Sequence, residues 1–134
     1  VNGVDVGEIA CEAACAGHYG VPVIAVTGDA KTSAGTFHFL PGAKWAVVKK
    51  GLGRNRARCL PLAAAHRKVR GILALAVRAA GEIEPFTFDL PAELELTLYR
   101  QDYADDFLRT AAWKKTGPRT VRRTIHSLLD THPF

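Results

Sequence analysis

The chain of 134 residues contains no methionine, and its first residue is Val1. We therefore expect it to be part of a longer protein. It also lacks any run that approaches the roughly 18 consecutive apolar residues of a membrane helix, and no basic-then-apolar leader precedes a small-residue cleavage site. These absences predict a soluble, cytoplasmic protein with no membrane partner.

Cysteine is scarce as well, since only Cys11, Cys15 and Cys59 are present. Three cysteines are too few, and too odd in number, for a disulfide framework, so we expect reduced thiols. Hydrophobic residues make up 48% of the chain, which is enough to bury a core without disulfides. We expect a single domain over 1–134, with a helix and strand core at 1–81 and a strand, helix, hairpin and terminal helix at 82–134.

Acidic residues are missing from 30–81, although the same stretch holds eleven lysines and arginines, Lys31, Lys44, Lys49, Lys50, Arg54, Arg56, Arg58, Arg67, Lys68, Arg70 and Arg78. The next segment, 82–106, reverses the sign, with eight acids against Arg100 alone. Neutralisation within the molecule, or pairing between subunits, explains such blocks more often than nucleic acid does. A phosphate-rich partner remains the alternative.

Hydrophobic periodicity predicts alternating helices and strands. Asn2-Gly3 is a tight-turn dipeptide. Predicted helices cover 6–18, 61–80, 102–109 and 125–130, with a weaker candidate at 30–40; predicted strands cover 21–27, 44–48 and 93–99, and a hairpin turns at Thr116-Gly117-Pro118. The run at 21–27 is uncharged and rich in β-branched residues, which is typical of a strand covered on both faces in a parallel sheet. We expect an α/β fold with a mixed, largely parallel sheet flanked by helices, forming an incomplete part of a larger α/β fold.

Two acids lie at the predicted start of the first helix, Asp5 and Glu8. Their spacing matches a capping box, in which Asp5 accepts from the first helical amides while Glu8 reaches back to the cap. That interpretation needs no function.

Thiols and histidines offer one local metal hypothesis. Cys11, Cys15 and His18 could share a helix face, with Cys59 or His66 completing a tetrahedral zinc set. A helix buried through its small residues is the simpler explanation of the same pattern. The remaining histidines, His38, His126 and His132, have no partnering acid at motif spacing, and we expect them, like His66, at the surface.

Asp29 follows the predicted strand 21–27 directly after a glycine. The carboxyl end of a strand in an open α/β sheet is where ligand-contacting groups tend to lie, so Asp29 is a candidate substrate-binding residue. A turn or cap role is the commoner use of an acid in this position.

Three phrases occur in one order: NGVDVGEI, then AGHYGVPVIAVTGD, then LPGAKWAVVKKGLGRNRARCL. In this order they resemble the second half of the zinc-dependent D-aminopeptidase family. The likeness covers 1–77 well and the rest of the chain loosely. It implies an α/β fold, zinc-dependent hydrolysis of short peptides with an amino-terminal D-residue, and assembly into ring-like homo-oligomers.

The resemblance also implies site residues. The family holds a pair of zinc ions with an Asp-x-Glu, two histidines and the glutamate of a Val-Gly-Glu motif, and only the last maps here, as Val6-Gly7-Glu8. Glu8 would therefore be a zinc ligand, while no catalytic residue of the family has a counterpart. The loop containing Arg54 and Asn55 matches one that could shape the substrate pocket or a subunit contact.

The leading hypothesis is the carboxyl-terminal portion of a D-aminopeptidase-like zinc hydrolase, inactive alone. One alternative is a basic module that binds phosphates or nucleic acid through 49–58 and 67–70, although nucleic acid is disfavoured by the lack of aromatics in the basic loop. The other alternative is a degenerate relative that kept the fold as a scaffold. Ala30 and Leu60-Pro61 depart from the family pattern and suggest a divergent member.

Overall fold

A computed structural model describes residues 1–131, which form helices and strands in alternation. The four α-helices are α1 Glu8–His18, α2 Ala30–Thr36, α3 Leu62–Arg78 and α4 Gln101–Phe107; the six strands are β1 Ala25–Asp29, β2 Lys44–Gly53, β3 Arg56–Cys59, β4 Ala92–Thr97, β5 Lys114–Gly117 and β6 Thr120–Ile125. Short 3-10 helices lie at Ala80–Glu82 and Leu128–Thr131. The predicted α/β class is confirmed.

The first sheet has the strand order β1-β2-β3. β1 and β2 run parallel because α2 carries the chain back between them, whereas β2 and β3 form an antiparallel hairpin. Arg54 and Asn55 connect the two hairpin strands. The predicted strand at 21–27 starts later than expected, at Ala25, because its ladder partner β2 begins at Lys44, and Ala25 is paired with that residue.

The second sheet has the order β4-β6-β5 and is antiparallel throughout. Most strand pairs are therefore antiparallel, contrary to the expectation of a largely parallel sheet. Among the described strands only β1 and β2 pair in parallel. A parallel pair needs a crossover connection. The short turn between β5 and β6 supplies none, and the predicted hairpin at Thr116-Gly117-Pro118 is confirmed. The predicted terminal helix at 125–130 is the 3-10 turn Leu128–Thr131 instead.

Two clusters of buried side chains support these sheets. The larger one joins Trp113, Val121 and Ile125 to residues of β4 and α4. The smaller one centres on Ala13, Leu40 and Ala43, with half-buried aromatic residues around it. The division of the chain into 1–81 and 82–134 stays a prediction, and residues 132–134, including His132, lie outside the described residues.

Helix α3 is confirmed close to its predicted bounds, yet its apolar stripe is only partly covered. Of this stripe Ala76 is fully buried, whereas Leu62 is 72% exposed and Leu73 44% exposed. Within the described residues α3 packs mainly on β2, so one flank of the helix has no neighbour. No helix in the described part of the chain is long and apolar enough to cross a membrane.

The acidic block pairs within its own half of the chain. Arg122 contacts Glu93 at 3.1 Å and Glu95 at 2.6 Å across neighbouring strands. Three further ion pairs are Arg100–Asp102, Arg109–Asp106 and Lys115–Asp105. The hydrogen bond from Arg100 lowers the pKa of the Asp102 carboxyl. Across residues 1–131 no ion pair involves a basic residue of the 31–78 block, so the two blocks do not neutralise each other, and ion pairs within the molecule reach five of the eight acids.

Candidate active-site region around Glu8

Glu8 is the first residue of α1 and is exposed. The residue before it, Gly7, is the N-cap in an extended conformation, and no side chain caps the helix. The predicted capping box of Asp5 and Glu8 is therefore wrong, because the helix starts too late for Asp5 to reach its first amides. Within residues 1–131 the Glu8 carboxylate has no hydrogen bond or ion pair, which leaves both oxygens available to a ligand.

Two grooves meet at Glu8. One, of about 330 Å³, lies between the segment before α1 and strand β4, and it is lined by Asp5, Glu8, Cys11 and Glu95 among others. The other, of about 460 Å³, lies between the start of α1 and helix α2. Both volumes fall in the range of small-molecule sites. A ligand held by Glu8 thus has space on either side of it.

Contacts from the end of the described chain hold α1 in place. The hydroxyl of Thr131 donates to the carbonyl of Leu128 at 2.7 Å and also lies 3.4 Å from the carbonyl of Cys11 in α1. The Cys15 thiol donates to the carbonyl of Leu128 at 3.5 Å. Thr131 is 1% exposed. These contacts tie the helix that carries Glu8 to the second sheet through the 3-10 turn that follows β6.

The hypothesis of a local zinc site among thiols and histidines fails in this region. Cys15 contacts Leu128 and Thr131 rather than a histidine. Burial raises the pKa of the Cys11 thiol, which disfavours the thiolate that zinc requires. In residues 1–131 no three His, Cys, Asp or Glu side chains are placed to hold a metal ion. The described histidines His18, His38, His66 and His126 are exposed.

Zinc at Glu8 would need further ligands beside this carboxylate. An exposed, unpaired carboxylate is a suitable oxygen donor for zinc. The described residues supply this one donor and do not complete a metal site, which requires at least three protein ligands. No chemical step is therefore assigned to a metal held by residues 1–131.

Asp29 is an N-cap. Its Oδ1 accepts from the Lys31 amide at 2.7 Å and so caps α2, while Oδ2 accepts from the Gly51 amide at 2.6 Å and ties the β2–β3 hairpin to that helix. The cap role weighed for this residue is confirmed. Because both oxygens already accept backbone hydrogen bonds, the geometry supports a positioning role, and direct substrate binding by Asp29 stays a prediction.

Replacing Asp29 tests its role as a cap and as a link to Gly51. We expect Asp29→Ala to lower the free energy of unfolding by about 2 to 3 kcal/mol, since it removes a helix cap and leaves the half-buried Gly51 amide without an acceptor. Asp5→Ala is the control and should change stability by less than about 0.5 kcal/mol, because Asp5 caps nothing. Urea denaturation followed by circular dichroism measures both. Equal stability losses would contradict the assignment of the cap to Asp29.

Arg54 and Asn55 form the tip of the β2–β3 hairpin, where both are exposed. Sequence reasoning predicted only a loop for this segment, whereas β2 continues to Gly53 and pairs with β3. Neither residue lines the two grooves that share Glu8. Their predicted role in substrate binding or in a subunit contact stays a prediction.

Helix α2 was a weak candidate in the sequence, and its role as a groove wall was missed. Thr32, Gly35 and Thr36 face Glu8 across the larger groove. Their residue types are poor helix formers. The one sequence signal for this role is the glycine in a short helix, Gly35, because a glycine leaves space where a side chain would otherwise project into the groove.

Known proteins resemble this chain in sequence and in fold. The family model described as D-aminopeptidase matches residues 1–133. A D-aminopeptidase of Bacillus subtilis (strain 168) is 30% identical over 135 residues, which cover 98% of this chain and 48% of the relative. The solved structure of DppA from Bacillus subtilis, described as a Zn-dependent D-aminopeptidase and a self-compartmentalizing protease, matches with a TM-score of 0.89 at 27% identity, over 97% of this chain and 48% of that one.

The chain thus spans about half the length of the relatives it matches. The match runs through the motif that contains Glu8, through both sheets and nearly to the end of the chain. The predicted resemblance is therefore confirmed, and this chain belongs to the D-aminopeptidase family.

Proposed function

We propose that this chain is the part of a zinc-dependent D-aminopeptidase that contributes one metal ligand, Glu8, together with walls of the substrate groove. The observation that carries the proposal is the exposed Glu8 carboxylate, unpaired in the described part of the chain and placed where two grooves meet. The remaining ligands would come from protein outside these residues, so the chain alone is inactive. Its substrates are short peptides with an amino-terminal D-residue.

Bound zinc would supply Lewis acidity and an activated water. In this proposal the residues of this chain hold the metal ligand Glu8 in position. Glu8 is the first residue of α1, and contacts of Thr131 and Cys15 hold that helix in place. Because these contacts are made within the protein, Glu8 keeps its position whether or not a substrate occupies the groove.

Assembly with further copies of the protein belongs to the same proposal. The structural relative is described as self-compartmentalizing, and the uncovered flank of α3, with Leu62, Leu73 and Val77, offers apolar surface for further contacts.

The cysteines Cys11, Cys15 and Cys59 are all free. Free thiols fit a cytoplasmic location, where they stay reduced.

The alternative of a basic binding module has one observation in its favour. Lys49, Lys50, Arg54, Arg56 and Arg58 are exposed along a single hairpin and unpaired within residues 1–131. Family membership over nearly the whole chain favours the peptidase. A degenerate scaffold would share the fold but would have no need of an unpaired carboxylate at the start of α1.

Replacing the matching half of the Bacillus subtilis D-aminopeptidase with this chain tests the role of Glu8. We expect the chimera to bind zinc, and Glu8→Gln to weaken zinc binding by roughly 100-fold or more, since even outer-shell partners of a metal are worth about 10- to 100-fold. Competition with a zinc chelator measures the affinity. The isolated 134-residue chain with zinc should not hydrolyse D-alanyl-D-alanine.

Glu84→Gln is the matched control, because Glu84 is an exposed glutamate that lines neither groove at Glu8. It should leave zinc affinity unchanged. Equal zinc affinity in the chimera and its Glu8→Gln variant would refute the ligand role. Hydrolysis of the dipeptide by the isolated chain would show instead that residues of the chain itself complete an active site.

A further inference from the structure

The tip of the β2–β3 hairpin carries an apolar side chain among basic ones. Leu52 is 44% exposed and lies between Gly51 and Gly53, which have no side chains to cover it. A hydrogen bond from the Gly51 amide to Asp29 fixes the hairpin against the start of α2. The basic side chains around Leu52 are exposed, and within residues 1–131 none of them forms an ion pair: Lys49, Lys50, Arg54, Arg56 and Arg58.

Like charges in this hairpin lie directly opposite one another. Lys50 of β2 is paired with Arg58 of β3, and a pair of this kind destabilises neighbouring strands. No acid of the described chain forms an ion pair with either side chain. An acidic partner would remove this repulsion. The hairpin is therefore complementary to a surface that joins negative charge to an apolar recess.

A groove of that character lies at the other end of the first sheet. It encloses about 490 Å³ and runs between the segment 39–43, just before β2, and the segment 82–87, which follows α3. Among the described residues its ionisable lining consists of Glu82 and Glu84, and both are exposed. Most of the remaining lining is apolar, and includes Val23, Phe39, Leu40, Pro41, Ile83 and Phe86.

Glu82 and Glu84 belong to the acidic block at 82–106. Ion pairs within residues 1–131 reach five of its eight acids, and these two are among the three that stay unpaired. The groove thus has unpaired negative charge, and the hairpin has unpaired positive charge. Each surface offers what the other one lacks.

Strand β2 separates the groove from the hairpin tip of the same copy. It has ten residues, Lys44–Gly53, and therefore extends about 30 Å at a rise of roughly 3.3 Å per residue. The groove lies beside the first residue of the strand, and the tip follows its last one. Because the hairpin cannot reach its own groove, the two complementary surfaces meet when a second copy supplies one of them.

We propose that the β2–β3 hairpin of one copy of this chain docks into the groove between 39–43 and 82–87 of a second copy. Leu52 enters the apolar part of the groove, while Arg54 and Arg56 pair with Glu82 and Glu84 at its rim. Since the contact uses different surfaces on the two copies, its repetition builds a ring where the rotation closes and a filament where it does not. The inference deepens the assembly in the proposed function and is independent of the metal role of Glu8.

Charge reversal followed by mixing tests the contact in the 134-residue chain. The hairpin variant combines Arg54→Glu with Arg56→Glu, and the groove variant combines Glu82→Arg with Glu84→Arg. Each variant alone should associate at least about 100-fold more weakly than the unmodified chain, because like charges brought together at an interface are strongly unfavourable. An equal mixture of the two should associate again, since every hairpin then meets a groove of opposite charge. Sedimentation velocity over a range of concentrations measures association.

The matched control for the hairpin variant combines Arg67→Glu with Arg70→Glu. These α3 residues are exposed and do not line the groove, and their replacement changes the net charge by the same amount. The control should associate like the unmodified chain. Circular dichroism should show that all variants are folded.

Leu52→Ala tests the apolar part of the contact. It should weaken association by roughly 5- to 10-fold, because part of a leucine side chain is no longer removed from water. Leu129→Ala is the comparison, since Leu129 is 40% exposed in the 3-10 turn after β6. This substitution should leave association unchanged.

Three results would overturn the proposal. They are a chain that stays monomeric at its highest soluble concentration, a hairpin or groove variant that associates like the unmodified chain, and a mixture of the two variants that fails to associate. Equal association of the Leu52→Ala chain and the unmodified chain would remove Leu52 from the contact and contradict the docking arrangement as well.

The outcome is separable from the zinc experiment, because Glu82 and Glu84 line neither groove at Glu8. If the mixture restores association while Glu8→Gln leaves zinc affinity unchanged, the contact between copies stands and the metal role of Glu8 is wrong. If Glu8→Gln loses zinc while the hairpin variant associates normally, the ligand role stands and the hairpin contact is wrong.

Discussion

Gly17→Ala is expected to lower the free energy of unfolding by about 3 kcal/mol, the upper end of the usual cost of overpacking. A Cβ atom at Gly17 would lie 1.9 Å from the carbonyl oxygen of Phe86. That oxygen belongs to the backbone, so relief requires either α1 or the segment around Phe86 to move. The Phe86 ring packs edge-on against Phe39 and Phe88, and therefore the movement would disturb the smaller core as well.

Gly35→Ala is the control for Gly17→Ala. Both substitutions are made inside a helix, yet the Cβ atom at Gly35 meets nothing. Helix propensity then predicts unchanged or slightly higher stability, by up to about 1 kcal/mol. Urea denaturation followed by circular dichroism measures both variants. If Gly17→Ala were as stable as Gly35→Ala, the close approach of α1 to Phe86 would be refuted.

Trp113→Ala is expected to cost about 3 to 5 kcal/mol, because it removes a buried aromatic side chain and leaves a cavity. Trp113 is 8% exposed and belongs to the larger core cluster. Its ring meets the Phe107 ring at 4.9 Å between centroids, and the Arg123 guanidinium lies 4.8 Å from the centre of the ring. The substitution also removes the cation–π contact of that guanidinium.

Tyr99→Ala provides the comparison for Trp113→Ala. Tyr99 follows β4 in the same half of the chain and is 79% exposed, so its removal should change stability by less than about 0.5 kcal/mol. Guanidinium denaturation monitored by far-ultraviolet circular dichroism avoids reliance on tryptophan fluorescence. A small effect of Trp113→Ala would mean that the second sheet does not depend on this core.

Local sequence patterns predicted the structure correctly where it depends on residues close together in the sequence. Asn2 and Gly3 both adopt positive φ, 49° and 76°, as the tight-turn dipeptide predicts. The period of α3 indicated its bounds to within two residues. Such features depend on backbone sterics and on hydrogen bonds between residues three or four apart, which a sequence displays directly.

Boundaries and directions that depend on distant partners were less predictable. The start of β1 is set by Lys44 of β2, nineteen positions after Ala25, and the β2–β3 hairpin extends through a segment whose glycines and arginines suggested a loop. The N-cap of α1 is Gly7 rather than Asp5, and the turn at Asn2 and Gly3 that precedes it is anchored to Glu93, whose amide donates to Asn2 Oδ1 at 2.8 Å.

For the candidate site, the sequence by itself determined the residue type and the family: a carboxylate, Glu8, at the start of a helix in a D-aminopeptidase chain. Only the tertiary structure decided that Glu8 is not part of a capping box, that Asp29 joins α2 to Gly51, and that Gly35 faces Glu8 across a groove. The physical reason is that hydrogen-bond partners and groove walls come from segments far apart in the chain. Their meeting depends on how α1, α2 and the sheets pack.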